Sequence, residues 1–406
     1  MTDTPLDLDD ALRAMLDDTR PLAQHETVPV AAALGRVLAH AVDAPRSLPP
    51  FPASAMDGYA LRSSDIDGAP PFRLKVAGTS YAGHPFTGHT PDGACVRIFT
   101  GAAMPPGLDA VVIQEDCDRD DDEVQVRTSV AAGDYVRPTG HDVCEGSRLL
   151  DAGRRLGPFD LGWLTACGLS EVVVTARPRI GIFSTGDELL DPGATPGPGK
   201  IFDANRMVLQ QLLAALPVET VDYGIVPDDP ARIRSLLARV DRECDVVVTS
   251  GGVSVGDADW VRDVVQELGA LRLWKLNLKP GKPLAYGRLR QAAFFGLPGN
   301  PVSTIVTALL LLRPVLERLC GSMPARPLRV AARLRGAVQH RPGREEYQRG
   351  TLEGDADVLT VTVTGDQSSN RLASFAAANC LIRVPGPAGD LQDGTVVEVL
   401  PFDGLL

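Results

Sequence analysis

The stretch Asp245-Val-Val-Val-Thr-Ser-Gly-Gly-Val-Ser-Val-Gly-Asp-Ala-Asp259 decides the fold of this chain of 406 residues. Its aliphatic run predicts a buried strand over 245–249, and the residues after the loop predict a helix over 258–268. The glycines of the loop let main-chain N–H groups approach an anion, and the N-terminus of the next helix favours negative charge at the same place. The stretch therefore predicts a phosphate- and metal-handling loop in an α/β enzyme.

Strand-like and helix-like runs alternate on both sides of this loop. Further strands are predicted over 179–183, 218–224, 271–276 and 292–296, and further helices over 205–215, 230–240 and 302–319. Helices that alternate with continuous aliphatic strands are typical of a doubly wound, mainly parallel sheet. We therefore predict an α/β multidomain protein whose α/β domain spans residues 177–326.

The rest of the chain predicts three further units. Residues 1–43, with a second helix expected near 30–40, combine with residues 145–176 in a discontinuous helical and extended domain. Short strands between turns predict an inserted β domain over 44–144. Residues 327–406 carry short strands only, which predict a C-terminal β-barrel-like or sandwich domain. Its strands are expected at 328–334, 358–364, 381–385 and 395–400.

The composition limits the partners of the protein. A net charge of −12 disfavours a nucleic-acid surface, because phosphate backbones are bound by clustered Lys and Arg. The acidic N-terminus does not resemble a signal peptide, and the longest aliphatic stretch, 305–312, is far shorter than the roughly 20 residues that span a bilayer. Seven scattered cysteines indicate reduced thiols and argue against a zinc site. We expect a cytoplasmic protein with no membrane partner.

Polar, glycine-rich loops follow every predicted strand of the α/β domain. They are Ser184-Thr-Gly-Asp-Glu188, Ile225-Val-Pro-Asp-Asp229, Thr249–Asp259, Asn277-Leu-Lys-Pro-Gly-Lys-Pro283 and Gly296-Leu-Pro-Gly-Asn-Pro301. In open α/β sheets, ligands bind beyond the carboxyl ends of the strands. Glu188, Asp228 and Asp259 offer the oxygen ligands that Mg²⁺ prefers. Lys275 and Lys279 can offset phosphate charge, so the loops predict metal-assisted transfer at a phosphate.

Each loop also has an ordinary structural interpretation. The acids at 228–229 can cap the following helix, and the segments 186–189 and 280–283 can be plain turns. The segment 297–301 can be a rigid connection with Pro301 in the first helical turn. Five such loops at one edge of a sheet favour a ligand site over independent turns.

Other catalytic motifs find less support. The chain has no Gly-x-x-x-x-Gly-Lys-Ser/Thr and no Gly-x-Gly-x-x-Gly motif. Gly252-Val-Ser254-Val-Gly256 matches the nucleophile elbow of a hydrolase, which needs a later acid and then a later His. The only later histidine is His340, in the predicted C-terminal domain, so the sequence does not favour Ser254 as a nucleophile.

The loops resemble those of a known family, molybdopterin molybdenumtransferase, the bacterial counterpart of the E domain of gephyrin. The resemblance also covers Pro52-Ala-Ser-Ala-Met-Asp-Gly-Tyr-Ala60, Arg97-Ile-Phe-Thr-Gly-Ala102 and Ser368–Asn379, so it runs through nearly the whole chain in order. It implies a four-domain enzyme that takes adenylated molybdopterin and molybdate, cleaves the adenylate with Mg²⁺, inserts molybdenum and releases AMP. It also implies an elongated homodimer with a shared site, and molybdopterin adenylyltransferase is considered as a second partner.

Loop chemistry and the resemblance together assign the site residues. The expected catalytic residues are Asp57, Thr100, Asp142, Glu188, Asp228 and Asp259. The expected metal ligands are Glu188, Asp228 and Asp259. The expected ligand-binding residues are Ser250, Gly251, Gly252, Ser254, Lys275, Lys279, Pro298 and Pro301. The resemblance implies that the first three catalytic residues come from the other subunit. His141, beside Asp142, stands where the family commonly has an acid.

Two related functions stay open. A scaffold of the gephyrin type would bind molybdopterin without turnover, although it would not need all the catalytic side chains. An adenylyltransferase would share the α/β fold but would not need the β domain that carries Asp57 and Thr100. Catalytic insertion of molybdenum is therefore the favoured prediction.

Overall fold

The computed structural model describes residues 5–252, 260–324, 326–354 and 358–405. They contain three six-stranded sheets, which are one mixed α/β sheet, one curled sheet and one sheet in which five strands close into a barrel, together with four two-stranded pairings. The α-helices are Leu8–Asp18, Pro158–Ala166, Ala204–Ala214, Pro230–Glu243, Trp260–Leu268, Pro301–Thr307, Arg313–Leu319 and Ala373–Ala376. A π-helical segment, Ala308–Leu312, joins two of them into one continuous rod. In the described ranges, no helix is long and apolar enough to cross a bilayer.

The α/β sheet positions the loops of the predicted site. Its strands, in spatial order, are Glu219–Val226, Arg179–Thr185, Val246–Ser250, Ala293–Leu297, Pro283–Arg288 and Ala270–Lys275. The first four are parallel, and the fifth is antiparallel to both of its neighbours. Apolar side chains bury both faces of the sheet against helices. This confirms the predicted doubly wound domain and adds the strand Pro283–Arg288, which sequence reasoning missed.

The first helix belongs to the core of this sheet. Leu8, Ala11 and Met15 are buried in the same apolar cluster as Ile180. The Leu6 N–H donates to the Lys275 carbonyl at 2.8 Å, which ties the N-terminal segment to the edge strand. The helix therefore packs with the α/β domain, and not with residues 145–176, with which the sequence grouped it. The exact domain boundaries stay predictions.

The prediction of a helix near residues 30–40 is wrong. The strand His25–Pro29 pairs with Glu171–Thr175, and only the short 3₁₀ turn Val30–Ala32 follows it. Gly35 has a φ of +73°, which a continuing α-helix does not accommodate. Apolar residues of this segment instead form the core of the discontinuous domain with the helix Pro158–Ala166. Two further pairs in the N-terminal half join Val42–Asp43 to Arg148–Leu150 and Ala53–Ser54 to Val136–Arg137.

The remaining two sheets form the β domains. The curled sheet runs in the order Ala110–Ile113, Gly58–Leu61, Ala94–Ile98, Phe72–Ser80, Glu123–Val126 and Cys117–Asp120. The C-terminal sheet closes through the ring Glu345–Gly354, Leu359–Val363, Val330–Arg335, Val396–Pro401 and Cys380–Val384. This confirms the predicted barrel-like domain. A sixth strand, Leu278–Lys279, leaves the α/β domain and pairs in parallel with the start of Glu345–Gly354.

Candidate active site

A cavity of about 700 Å³ opens where the parallel strands end. The loops after Thr185, Val226, Ser250 and Leu297 all reach it, as the sheet topology predicts. Seven residues predicted for the site line it together: Glu188, Asp228, Ser250, Gly251, Gly252, Pro298 and Pro301. Ser254 and Asp259, also predicted for the site, lie outside the described residues.

The glycine loop has a conformation and a tight packing that require glycine. Gly251 and Gly252 have φ values of +89° and +67°. A Cβ on Gly252 would lie 2.6 Å from a methyl carbon of Val261 and 2.7 Å from the Thr185 hydroxyl oxygen. The Gly251 N–H donates to the Leu297 carbonyl at 3.1 Å. This N–H therefore fixes the loop to the next strand instead of being directed to a ligand.

Asp228 and its neighbour Asp229 have different tasks. The Asp229 carboxylate caps the helix Pro230–Glu243, because it accepts from the N–H groups of Ala231 at 2.8 Å and Arg232 at 3.3 Å. The Asp228 carboxylate accepts from the Asp187 N–H at 3.3 Å and lines the cavity. Asp229 thus provides the helix cap that the sequence allowed for this loop, and Asp228 does not have to serve as the cap.

Negative charge is concentrated at this point of the cavity. Burial raises the pKa of Asp228, the hydrogen bond from Asp187 lowers it, and the charges of Asp187 and Glu188 raise it again. The lack of a side chain at Gly186 leaves space for the Glu188 carboxylate, because a Cβ at this position would lie 2.5 Å from the Glu188 Oε2 atom. A divalent cation would relieve the repulsion between these carboxylates.

The donor set fits Mg²⁺, which proteins commonly hold by one or two carboxylates together with substrate phosphates. Glu188 and Asp228 supply two such carboxylates in one cavity. In the described segments, no group of three His, Cys, Asp or Glu side chains is arranged to hold a metal ion. The third expected ligand, Asp259, is outside those segments.

Asn205 connects two walls of the cavity, and sequence reasoning missed it. Its side-chain amide donates to the Ser250 hydroxyl oxygen at 2.7 Å and to the Gly299 carbonyl at 2.7 Å. Asn205 thereby ties the glycine loop to the loop before Pro301. Its position in the first turn of the helix Ala204–Ala214 gave no signal, because Asn is common at helix starts.

The two lysines predicted for the site have different surroundings. Lys275 ends its strand directly opposite Pro283, which lines the cavity. The Lys279 amine instead forms an ion pair at 3.0 Å with buried Glu346 of the barrel. Glu346 also bonds at 2.8 Å to the ring of His340. Lys279 therefore lines a separate cavity beside the barrel, and its phosphate-binding role stays a prediction.

Asp57 and Thr100 form a compact pair in the inserted β domain. The Asp57 Oδ1 atom accepts from both the N–H and the hydroxyl of Thr100, each at 2.7 Å. These bonds, the backbone one foremost, lower the pKa of Asp57, and the nearby charge of Arg97 lowers it further. Asp142 lies exposed on another segment of the chain, where its N–H bonds to the Leu48 carbonyl at 2.9 Å. Whether these three residues act in the site stays a prediction.

A second cavity, of about 660 Å³, opens at the opposite edge of the same sheet. Three helices end beside it, at Asp18, Glu243 and Leu319. Five arginines line it: Arg20, Arg179, Arg242, Arg272 and Arg288. None of the predicted site residues that the structure describes lines this second cavity.

Comparison with known proteins defines the class to which this fold and cavity belong. Residues 181–318 match the family model described as "Probable molybdopterin binding domain". Residues 6–168 match "MoeA N-terminal region (domain I and II)", and residues 331–402 match "MoeA C-terminal region (domain IV)". The α/β cavity thus lies in a molybdopterin-binding domain that is flanked on both sides by the domains characteristic of this class.

Similarity over the whole chain shows the family. The chain is 36% identical to molybdopterin molybdenumtransferase of Haemophilus influenzae, over 99% of this chain and 100% of that protein. It is 34% identical to molybdopterin molybdenumtransferase 2 of Mycobacterium tuberculosis, over 95% of this chain and 96% of that protein. The crystal structure of the molybdopterin biosynthesis moeA protein of Pyrococcus horikoshii superimposes with a TM-score of 0.85, at 30% identity over 98% and 100%.

The chain therefore belongs to the molybdopterin molybdenumtransferase family, as the sequence motifs predicted. It is a transferase with a role in molybdenum cofactor biosynthesis.

Proposed function

We propose that this protein inserts molybdenum from molybdate into adenylated molybdopterin in a Mg²⁺-dependent reaction and releases AMP. One observation carries the proposal: the carboxylates of Glu188 and Asp228 share a cavity with the glycine loop at the carboxyl edge of the α/β sheet. Acids and a tightly turned loop at this position suit the cleavage of a phosphoanhydride bond.

Each wall of the cavity has its own task in this proposal. Ser250 and Gly252 hold the phosphate side of the ligand, Gly251 keeps their loop in place, and Pro298 and Pro301 shape another wall. Glu188 and Asp228 would hold Mg²⁺, whose charge neutralises phosphate oxygens. The Asp187 N–H holds the Asp228 carboxylate in the orientation that this task requires.

The proposal includes a homodimer in the reducing environment of the cytoplasm. Asp57, Thr100 and Asp142 of one subunit would complete the site of the other, because they lie outside the domain that forms the cavity. The Thr100 hydroxyl already donates to Asp57, so this pair would enter the site preorganised. All seven cysteines are free thiols, which supports a reducing compartment.

AMP release from adenylated molybdopterin tests the proposal. The expected result is release that requires both molybdate and Mg²⁺ and that EDTA abolishes. Tight binding of the adenylate without turnover would instead indicate a scaffold. Formation of the adenylate from ATP and molybdopterin would indicate an adenylyltransferase.

A further inference from the structure

Three apolar residues that line the site cavity have no assigned task. Leu189, Ile201 and Phe202, here called the apolar lip, line the cavity together. Ile201 is 58% exposed and Phe202 is 48% exposed. A large apolar side chain that is kept in water gives up the free energy that its burial would contribute, so an exposed pair at the mouth of a polar cavity suggests a ligand contact.

The backbone of the lip is fixed before any ligand arrives. Leu189 and Leu190 pair in parallel with Ile201 and Phe202. The Ile201 N–H donates to the Glu188 carbonyl at 2.8 Å, and the Asp203 N–H donates to the Leu190 carbonyl at 2.9 Å. The exposure of the aromatic ring is therefore built into the fold and does not come from a loose segment.

A partly buried ion cluster lies next to the lip in the chain. Asp203, only 4% exposed, accepts from Arg206 at 3.0 Å, and Arg206 also binds Asp222 at 2.5 Å and Asp191. Lys200, next to the lip, donates to the Asp187 carbonyl. The same segment thus joins the lip to the acidic loop that carries Glu188.

The rest of the cavity combines polar groups with prolines. The Thr185 hydroxyl is buried there and has no hydrogen-bond partner in the described ranges. The glycine loop, the two carboxylates and the prolines Pro298 and Pro301 also line it. A cavity that combines an apolar side with polar groups suits a ligand that joins a flat ring to a phosphate-bearing chain.

We infer that the apolar lip binds the flat nitrogen heterocycle of the ligand and that Phe202 stacks on this ring. The inference rests on the proposed function, since adenylated molybdopterin carries two such rings, a pterin and an adenine. Both have the chemistry that the lip recognises, and separate probes distinguish them.

Equilibrium binding of two probes, AMP and a phosphorylated pterin, tests the lip. We expect Phe202→Ala to weaken one of them about ten-fold, because aromatic stacking is lost. Phe202→Trp should retain the affinity and add a tryptophan emission, relative to the parent protein, that the bound ring quenches. The matched control is Phe159→Ala, an aromatic that is 91% exposed on another domain, which should leave both affinities unchanged.

Inorganic pyrophosphate separates the lip from the phosphate wall. It has no ring, so its affinity should be equal in Phe202→Ala and the parent protein. The inference is overturned if Phe202→Ala and the parent protein bind AMP equally well and also bind the phosphorylated pterin equally well. It is also overturned if the parent protein binds neither probe. A parallel loss of pyrophosphate binding also overturns it, because Phe202 would then act on the loop. If Phe202→Ala weakens binding of a heterocycle but the parent protein shows no molybdate-dependent AMP release, the proposed function is contradicted and the inference about the lip is not.

Discussion

Two cavities of nearly equal volume, about 700 and 660 Å³, lie at opposite edges of one sheet. At the first, parallel strands end and helices begin, at Ala204, Pro230 and Pro301. At the second, helices end, at Asp18, Glu243 and Leu319. The first is lined by acids and glycines, where helix N-termini favour negative charge. The second is lined by arginines, where helix C-termini favour positive charge.

The comparison teaches that neither volume nor net charge identifies the site. Two of the arginines of the second cavity serve the fold, because Arg179 pairs with Glu219 and Arg272 pairs with Asp18, each at 3.2 Å. Carbonyl groups at the helix ends attract the same cations. In the first cavity, the carboxylates of Glu188 and Asp228 lie together, and the lining residues within the described ranges include no arginine or lysine. Charge that the fold leaves uncompensated indicates a ligand, and compensated charge does not.

The largest effect should come from the acids of the first cavity. We expect Asp228→Ala or Glu188→Ala to lower molybdate-dependent AMP release by at least about a hundred-fold, because the charge that would hold Mg²⁺ is lost. The neighbouring variant Asp229→Ala is the control, since it removes only a helix cap and should cost about 1 kcal/mol of unfolding free energy while activity persists. Full activity of Asp228→Ala would exclude its role.

The glycine loop should give the next effect. Gly252→Ala would force a Cβ against Val261 and Thr185, so we expect pyrophosphate binding to weaken by roughly ten-fold or more as the loop shifts. Gly93 has nearly the same φ, +69°, but open space around it. Gly93→Ala should therefore share the backbone strain, about 1 kcal/mol, and keep the pyrophosphate affinity. Equal affinities of the two variants would show that the loop does not contact phosphate.

Asn205→Ala should have a smaller effect. Loss of two hydrogen bonds between the cavity walls should weaken binding of adenylated molybdopterin by about five- to ten-fold. Asn379→Ala is matched to it, because Asn379 makes two hydrogen bonds to the backbone of Leu352 in the barrel. Calorimetric titration should find a reduced affinity for the first variant only. A similar loss in both would indicate a general effect on stability.

The smallest effect should come from the second cavity. Because Arg242 and Arg288 line the second cavity and not the first, and Arg242 lies in the last turn of the helix Pro230–Glu243, their joint replacement by Ala should leave AMP release within about two-fold of the parent value. Steady-state assays at saturating molybdate would measure it. A ten-fold loss in a well-folded double variant would show that this edge of the sheet also takes part in the reaction.

The sequence was most informative where one physical signal dominated. Aliphatic strands and the loops after them predicted the α/β domain and brought Glu188 and Asp228 to one cavity. The barrel strand Glu345–Gly354 escaped prediction because Glu346 and Arg349 are buried in it, so no apolar alternation marks the strand. Partners distant in sequence help to satisfy its buried charges, Lys279 for Glu346 and Ser374 for Arg349.

The site residues show the same limit. Lys279 looked like a phosphate ligand, yet its amine pairs with Glu346, a contact that only the folded barrel creates. Asn205 looked like an ordinary helix start, yet it bridges two loops that are far apart in the chain. Local pattern predicts which residues follow a strand, but not which of them the rest of the fold occupies.

The short strand Leu278–Lys279 couples the α/β domain to the barrel through backbone pairing. It lies in the connection between two strands of the α/β sheet and forms an edge strand of the barrel sheet. Movement of the barrel relative to the α/β domain would break this strand pairing and the ion pair between Lys279 and Glu346. Bending of a linker alone would not be enough. A recombinant α/β domain that ends before the barrel would carry an unpaired edge, so these two units are poorly suited to exchange between proteins as separate modules.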